Sequence, residues 1–432
     1  MILRVQPAAF LQGTVSLPPS KSYTIRALIV AALGGVSKII QPSYCDDALV
    51  AMATARWLGA NLVPKTRRVI IVKANQKKTR LKTIHVGESG TVLRLVLPLA
   101  SLKGEKVRIV GKGTLRGRPN RFLSQLLRER GVDIKGFGPQ ESVPIEIRGG
   151  QFQGGEMNID GSVSSQFISA LLLACPNLGE NTHLRIKGNQ VVSETYILMT
   201  RQILAKAGIK IIVKSDREFL IPGRQKYRGL KNFAVPSDYG LGAFLMAAAA
   251  LTKSEIVLQG HLKNDLIQSD AAILPLLKKM GVRFTKTSRT LRFNGPSLLR
   301  GGEFSLKDCP DLLPVLVVLA MFADSPSRFY DIGHARIKES DRISDLRTEL
   351  LKVGADIKEK ADELIVHPQP AYRLECLLDP HHDHRLAMAF CVLGIKVGVS
   401  VKDIECVSKS YPEFIRDLKA LGAKAGKSQK LV

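Results

Sequence analysis

Six apolar segments recur along the chain. Each opens on a small polar, acidic or histidine residue: Ser22 in KSYTIRALIVAAL, Thr91 in TVLRLVLPLA, Ser165 in SQFISALLLA, Asp238 in DYGLGAFLMAAAA, Asp311 in DLLPVLVVLAMFA and His384 in HRLAMAFCVL. The openings lie 69 to 74 residues apart. In the first segment Ile25, Leu28, Ile29, Ala32 and Leu33 fall at i, i+3, i+4, i+7 and i+8, the stripe of a helix with one buried face. Ser, Thr and Asp suit such openings because their side-chain oxygens accept from backbone N–H groups that have no intrahelical partner.

A second mark alternates with the first. Leucine-rich stretches end on Gly59, Gly131, Gly208, Gly281, Gly354 and Gly422, several of them followed by β-like runs such as VDI and VRF. Glycine tolerates the left-handed conformation that closes many helices. Between the two marks stand short strand-like runs ending in polar loops: SKIIQPS, VRIVGKG, LRIKGNQ, EIVLQGH, RFYDIGH and VSVKDIE. Strands and helices therefore alternate within a unit repeated six times, which predicts an α/β architecture and not a helical solenoid. A chain of 432 residues is too long for one core, and two domains of three units each is the economical division.

Composition adds bounds. The longest apolar runs, near 241–251 and 312–322, fall short of the roughly 18 to 20 residues that span a bilayer and read as buried helices. The N-terminus shows neither a secretory nor a transit pattern, and the six cysteines contain no C-x-x-C pair, so reduced thiols in a cytoplasmic protein are expected. The 64 Lys and Arg against 38 Asp and Glu leave a net charge of +26, which calls for anionic partners. The basic run at 66–82 could follow a phosphate backbone, but one tryptophan, Trp57, offers little for base stacking, and the basic tail around Lys427 and Lys430 carries no assigned role. Small polyanionic substrates fit better than nucleic acid, and a monomer is expected.

The candidate chemistry concentrates at fixed places in the repeat. Lys21, Ser22 and Arg26 open the first helix, and Ser164, Ser165 and Gln166 the third; helix N-termini are natural anion sites. Loops after strands add Arg118 (LRGRP), Ser193 (VVSETY), Lys338, Glu339 and Arg342 (RIKESDR) and Lys409 (VSKSYPEF). If RIKESDR enters a helix, Lys338 and Arg342 share one face at i and i+4, with Glu339 turned about 100° away.

LPPSKSYTIRAL, GESGTVLR, RGRPNR, DGSVSSQF, ARIKESDR, DHRLAMAF and SKSYPEF together resemble the 5-enolpyruvylshikimate-3-phosphate synthase family, in the family's order, from about Leu17 to Leu418. The resemblance implies a two-domain inside-out α/β barrel. Each domain would be three βαβαββ repeats, with residues 1–18 and 236–432 in one domain, 19–235 in the other, a crossover at the first strand and the active site in the cleft between them. It implies transfer of the enolpyruvyl group of phosphoenolpyruvate to the 5-hydroxyl of shikimate 3-phosphate, in the pathway to chorismate and the aromatic amino acids. By motif position, Lys21, Ser22, Arg26, Ser164, Ser165, Ser193, Asp311, His334 and Lys338 would hold shikimate 3-phosphate. Lys21, Gly90, Arg118, Gln166, Arg342, Arg385 and Lys409 would hold phosphoenolpyruvate. Asp311 matches the base for the hydroxyl and Glu339 the proton donor to C3, with Lys21 a competing donor. No cofactor or metal is implied, since phosphate leaves and fixed cations neutralise the developing charge.

The chain departs from the common pattern at Glu88, Leu95, His334 and His382. His381, His382, Asp383 and His384 look like a metal cluster, but neighbours on one segment rarely face one ion. The related UDP-N-acetylglucosamine enolpyruvyl transferases pair the opening lysine with asparagine and use a loop cysteine; here Ser22 follows Lys21 and RGRP lacks a cysteine. A basic RNA-binding repeat protein would account for the charge but not for Asp311, Glu339 and the ordered motifs.

Overall fold

The computed structural model describes residues 1–74, 82–263 and 265–427; residues 75–81 of the basic run and Lys430 of the tail lie outside the described residues. The chain divides into two compact units, Met1–Pro18 with Pro236–Val432, and Pro19–Val235. Each unit carries three four-stranded sheets built to one plan. A leading strand such as Gly302–Ser305 runs parallel to Ser327–Tyr330, and Glu363–His367 and then Asp356–Glu359 add antiparallel. Helix Leu313–Ala320 lies between the first and second strands in chain order, and helix Ser344–Lys352 between the second and third. This is the βαβαββ order implied by the resemblance.

Three strands complete sheets from a distance along the chain. The first eighteen residues supply two strands to their unit, not one. Leu3–Val5 sits between Val399–Val401 and Ala425–Lys427, whereas Phe10–Ser16 leads another sheet, parallel to Lys253–Gln259. In the other unit Lys231–Ala234 returns to pair in parallel with Val36–Ile40.

The helices that follow the leading strands lie inside each unit. Every residue of Tyr239–Leu251 and of Leu313–Ala320 is buried, and both helices contact His384–Val397. Strands alternate instead, as in Lys253–Gln259, where Ser254, Ile256 and Leu258 are buried and Lys253, Glu255 and Gln259 exposed. A sheet with one wet face around helices with none is an α/β barrel turned inside out. The one-face stripe read from the first helix is therefore corrected: Tyr23 through Ala32 are all buried. The polar residues between its apolar positions are satisfied locally. Thr24 Oγ1 donates to the Ser20 carbonyl at 2.8 Å and accepts from the Ser43 N–H at 3.0 Å.

The caps sit slightly upstream of most of the marked openings. Ser20, Ser89, Ser164, Asp238 and Asp383 each accept a backbone N–H of the first turn. Only Asp238 was itself a marked opening. Asp311 caps nothing; it lies in the single turn Pro310–Leu312 before helix Leu313–Ala320, and its carboxylate is used elsewhere. The six marked glycines all have φ between 82° and 106°, a region costly for any residue with a Cβ.

Candidate active site

Leading and second strands run parallel in every sheet, so their C-terminal ends share an edge. Buried helices leave from the first of these ends and irregular turns from the second. The sequence-predicted residues occupy these two positions in both units. In α/β sheets ligands gather outside the carboxyl ends of strands.

In the unit Pro19–Val235, Lys21 Nζ lies 3.3 Å from Asp47 Oδ2, with side chains only 13% and 5% exposed. Arg26 is buried; Nε donates to Thr200 Oγ1 at 2.8 Å and Nη1 to the Ser22 carbonyl at 3.2 Å. No carboxylate pairs with it among the described residues, and burial pushes its guanidinium down to about 10 against the pull of Tyr196 and Tyr23, still charged at neutral pH. Gly90 opens its helix directly against Arg118: a Cβ there would stand 2.7 Å from Nη1 and 2.9 Å from Cζ. Gln166 donates to Thr91 Oγ1 at 3.1 Å and accepts from Arg94 Nη1 at 2.8 Å. Ser164 caps its helix, Ser165 is buried behind it, and Ser193 precedes Glu194–Lys206 in a left-handed conformation, its buried hydroxyl making no hydrogen bond among the described residues. Glu88 turns its carboxylate onto the backbone of Gly113, where a Cβ would meet Oε1 at 2.2 Å.

The unit Met1–Pro18 with Pro236–Val432 holds an acid–base network around Arg342, whose side chain is 1% exposed. Its Nη1 lies 2.5 Å from Asp311 Oδ1, Nη2 2.7 Å from Glu339 Oε2 and Nε 2.7 Å from Asp383 Oδ2. Arg385 Nη2 takes the other oxygen of Asp311 at 2.8 Å. Lys409 Nζ lies 3.8 Å from Glu339 Oε1. Thus Asp311, Glu339, Arg342, Arg385 and Lys409 form one connected cluster.

Burial would raise the Asp311 carboxyl, but Arg385, Arg342 and Lys338 outweigh it and hold the group well below the usual carboxylate range. His334 goes the other way. Burial first, then the charge of Lys338, push it down to about 3, so it is a neutral imidazole at pH 7. It bonds the Lys307 backbone, and its Nε2 has no hydrogen-bond partner among the described residues.

The helix expected from RIKESDR is not there. Gly333–Ile337 form a tight turn and the helix starts at Ser344. Asp341 Oδ1 accepts the N–H groups of Ile343 and Ser344, both at 3.1 Å, while Arg336 grips the same carboxylate. This local side-chain bonding competes with helix. Glu339 is therefore folded onto Arg342 instead of standing a quarter-turn away.

The sequence reading missed Asp47, Arg94, Thr200, Asp270 and Asp383, which hold the named residues in place. Only Asp383 has a signal, since it lies two residues before Arg385 in HHDHR, a run whose resemblance to a metal cluster the sequence argues against. The three histidines of that run diverge. His381 Nε2 faces Glu349 Oε1 at 3.4 Å, His382 Nδ1 faces Asp403 Oδ2 at 2.5 Å, and His384 is buried. No group of three His, Cys, Asp or Glu is placed to hold a metal among the described residues.

Residues 5–418 match the family described as EPSP synthase (3-phosphoshikimate 1-carboxyvinyltransferase). The 3-phosphoshikimate 1-carboxyvinyltransferase of Methanocaldococcus jannaschii is 37% identical over 428 residues, covering 98% of each chain. That of Methanosarcina mazei is 36% identical over 422 residues, covering 96% of each. The solved EPSP synthase from Acinetobacter baumannii superimposes with a TM-score of 0.81 at 23% identity, covering 99% of this chain and 100% of that one, a likeness of fold. On the full-length match and these identities, the chain belongs to the EPSP synthase family.

Proposed function

We propose that the chain transfers the enolpyruvyl group of phosphoenolpyruvate to the 5-hydroxyl of shikimate 3-phosphate and releases phosphate. Family membership supports the reaction. The observation that supports the residue roles best is the pair of arginines, Arg342 and Arg385, that grip Asp311 from both oxygens. Asp311 takes the proton of the 5-hydroxyl as its oxygen attacks C2 of phosphoenolpyruvate, while C3 gains a proton and becomes a methyl group. The C2–O bond to phosphate then breaks and C3 loses a proton, restoring the double bond.

Held by two cations, Asp311 is a weak base. An incoming phosphate or carboxylate competes for the same N–H donors, so substrate binding to Arg342 and Arg385 loosens their hold on Asp311 and makes it more basic. Arginine suits this exchange because its planar fork donates bidentately to either anion. Arg118, Gly90, Gln166, Lys21 and Lys409 complete the phosphoenolpyruvate contacts. Lys21, Ser22, Arg26, Ser164, Ser165, Ser193, His334 and Lys338 serve shikimate 3-phosphate. Glu339 delivers the proton to C3, with Lys21 as the alternative donor. The chain acts as a cytoplasmic monomer in this reading; its six unpaired cysteines are in keeping with a reducing compartment.

Phosphate release should require both substrates together and persist in high salt, which would dissociate an RNA-binding protein. Asp311→Asn should lower kcat by roughly a hundredfold or more, the usual range for a lost general base, and Lys409→Ala should raise KM for phosphoenolpyruvate. Full activity in both variants would remove the site assignment.

A further inference from the structure

Asp270 takes no part in the steps above. It lies in the turn Ser269–Ala272, beside the opening of helix Tyr239–Leu251. Its side chain is 8% exposed, with Oδ2 3.5 Å from Arg385 Nη2, the same nitrogen that lies 2.8 Å from Asp311 Oδ2. Its Oδ1 has no hydrogen-bond partner among the described residues. Gly240 makes room for it: a Cβ there would stand 2.0 Å from Oδ2. The segment is pinned by Gln268, which accepts the Tyr239 N–H at 3.4 Å and donates to the Ser237 carbonyl at 2.9 Å. A buried carboxylate with one long ionic contact and an unbonded oxygen is a poor structural ion pair, because its desolvation is hardly offset.

We propose that Asp270 is a positioning residue that competes with Asp311 for Arg385 and thereby sets the basicity of Asp311. The proposal rests on the reading of Asp311 as the base. Two carboxylates on one guanidinium have coupled protonation. With Asp270 ionised, Arg385 is shared and the second negative charge favours protonation of Asp311. With Asp270 protonated, Arg385 belongs to Asp311 alone and the base is weaker. The groups facing Asp270 are Arg385, Asp311, Asp238 and Lys338, with the Cys309 thiol beside it; Asp311 also faces Arg342 and Glu339. Burial leads, and with Asp311 and Asp238 it outweighs Arg385 and Lys338, pushing the Asp270 carboxyl up to about 7. The exchange therefore falls in the neutral range in the free enzyme, and kcat/KM for phosphoenolpyruvate should climb as pH rises through it.

The test is the pH profile of kcat/KM for phosphoenolpyruvate, which reports groups of the free enzyme, measured by phosphate release for wild type, Asp270→Asn, Asp270→Glu and Asp311→Asn, with each variant's melting midpoint recorded. Asp270→Asn should keep measurable turnover, lose the rise between pH 6 and 8, and run about tenfold slower at pH 8, one pKa unit of base strength. Asp270→Glu should restore the rise. A profile of wild-type shape in Asp270→Asn, with Asp311→Asn inactive, would overturn the role of Asp270 alone; full activity in Asp311→Asn would overturn the base reading itself. If Asp270→Asn does not fold, Gly240→Ala decides, since its methyl group displaces the same oxygen. An unmoved rise there would count against the proposal and a lost one for it.

Discussion

Asp383 Oδ2 lies 2.7 Å from Arg342 Nε, and both side chains are shut from solvent, at 0% and 1% exposed. The other Asp383 oxygen accepts the Arg385 N–H at 2.8 Å and caps helix His384–Val397. One carboxylate thus fixes both arginines, one through its side chain and one through its backbone.

Asp383→Ala should therefore lose two things at once. A lost cap costs about 1 kcal/mol, and removing one partner of a buried pair costs about 3 to 5 kcal/mol. Asp383→Asn keeps the cap, because asparagine caps as well as aspartate, and should fall between Ala and wild type. Denaturant midpoints of the three proteins check this; equal losses in Ala and Asn would mean that the cap contributes nothing.

Gly90→Ala places a methyl group 2.7 Å from Arg118 Nη1. The obstacle is the end of a flexible side chain, so stability should change by less than about 1 kcal/mol while the guanidinium moves. KM for phosphoenolpyruvate should rise roughly tenfold, which is about 1.4 kcal/mol, with kcat little changed. A kcat loss without a KM effect would place Arg118 elsewhere in the reaction.

His334 makes stability depend on pH. Its ordinary value of 6.5 is lowered to about 3 in the fold, so the unfolded chain takes up a proton first. The stabilisation from the neutral imidazole is present above about pH 6.5 and is lost as pH falls toward 3. At pH 5 the loss should be roughly 2 kcal/mol, at 1.36 kcal/mol per unit over about 1.5 units. Urea midpoints at pH 7.5 and 5 should show this excess in wild type and not in His334→Asn. Parallel declines in the two proteins would show that another group is responsible.

Much of this arrangement is legible in the chain because repetition exposes it. The positions of Gly59, Gly131 and their four counterparts report a backbone need, a positive φ, that only glycine meets cheaply, and the openings report helix starts to within two residues. What did not carry was anything set by contact between distant segments. The stripe at Ile25, Leu28 and Ile29 cannot tell one buried face from burial all round, since Thr24 and Arg26 are satisfied by Ser43 and Thr200 from elsewhere in the chain. RIKESDR carries helical spacing, but Asp341 takes the backbone donors that a helix would have used. Asp270 and Asp47 have no local signature; their importance arises from Arg385 and Lys21, far away in sequence.

Arg26 yields the last prediction. Its guanidinium is buried among neutral acceptors, Thr200 Oγ1 and the Ser22 and Tyr196 carbonyls, and a desolvated cation without a counter-charge weakens the fold that holds it. A bound anion would supply that charge. Shikimate 3-phosphate at a hundred times its Kd should stabilise the protein by about 2.7 kcal/mol through mass action, seen as a higher melting midpoint. Arg26→Met keeps most of the volume and removes the charge, and Thr200 Oγ1 retains the Tyr196 carbonyl at 2.9 Å and Ser169 Oγ at 3.0 Å. Without ligand the variant should melt no lower than wild type, and with ligand its midpoint should not rise. A variant that melts well below wild type and still responds to shikimate 3-phosphate would make Arg26 a structural residue, not a binding one.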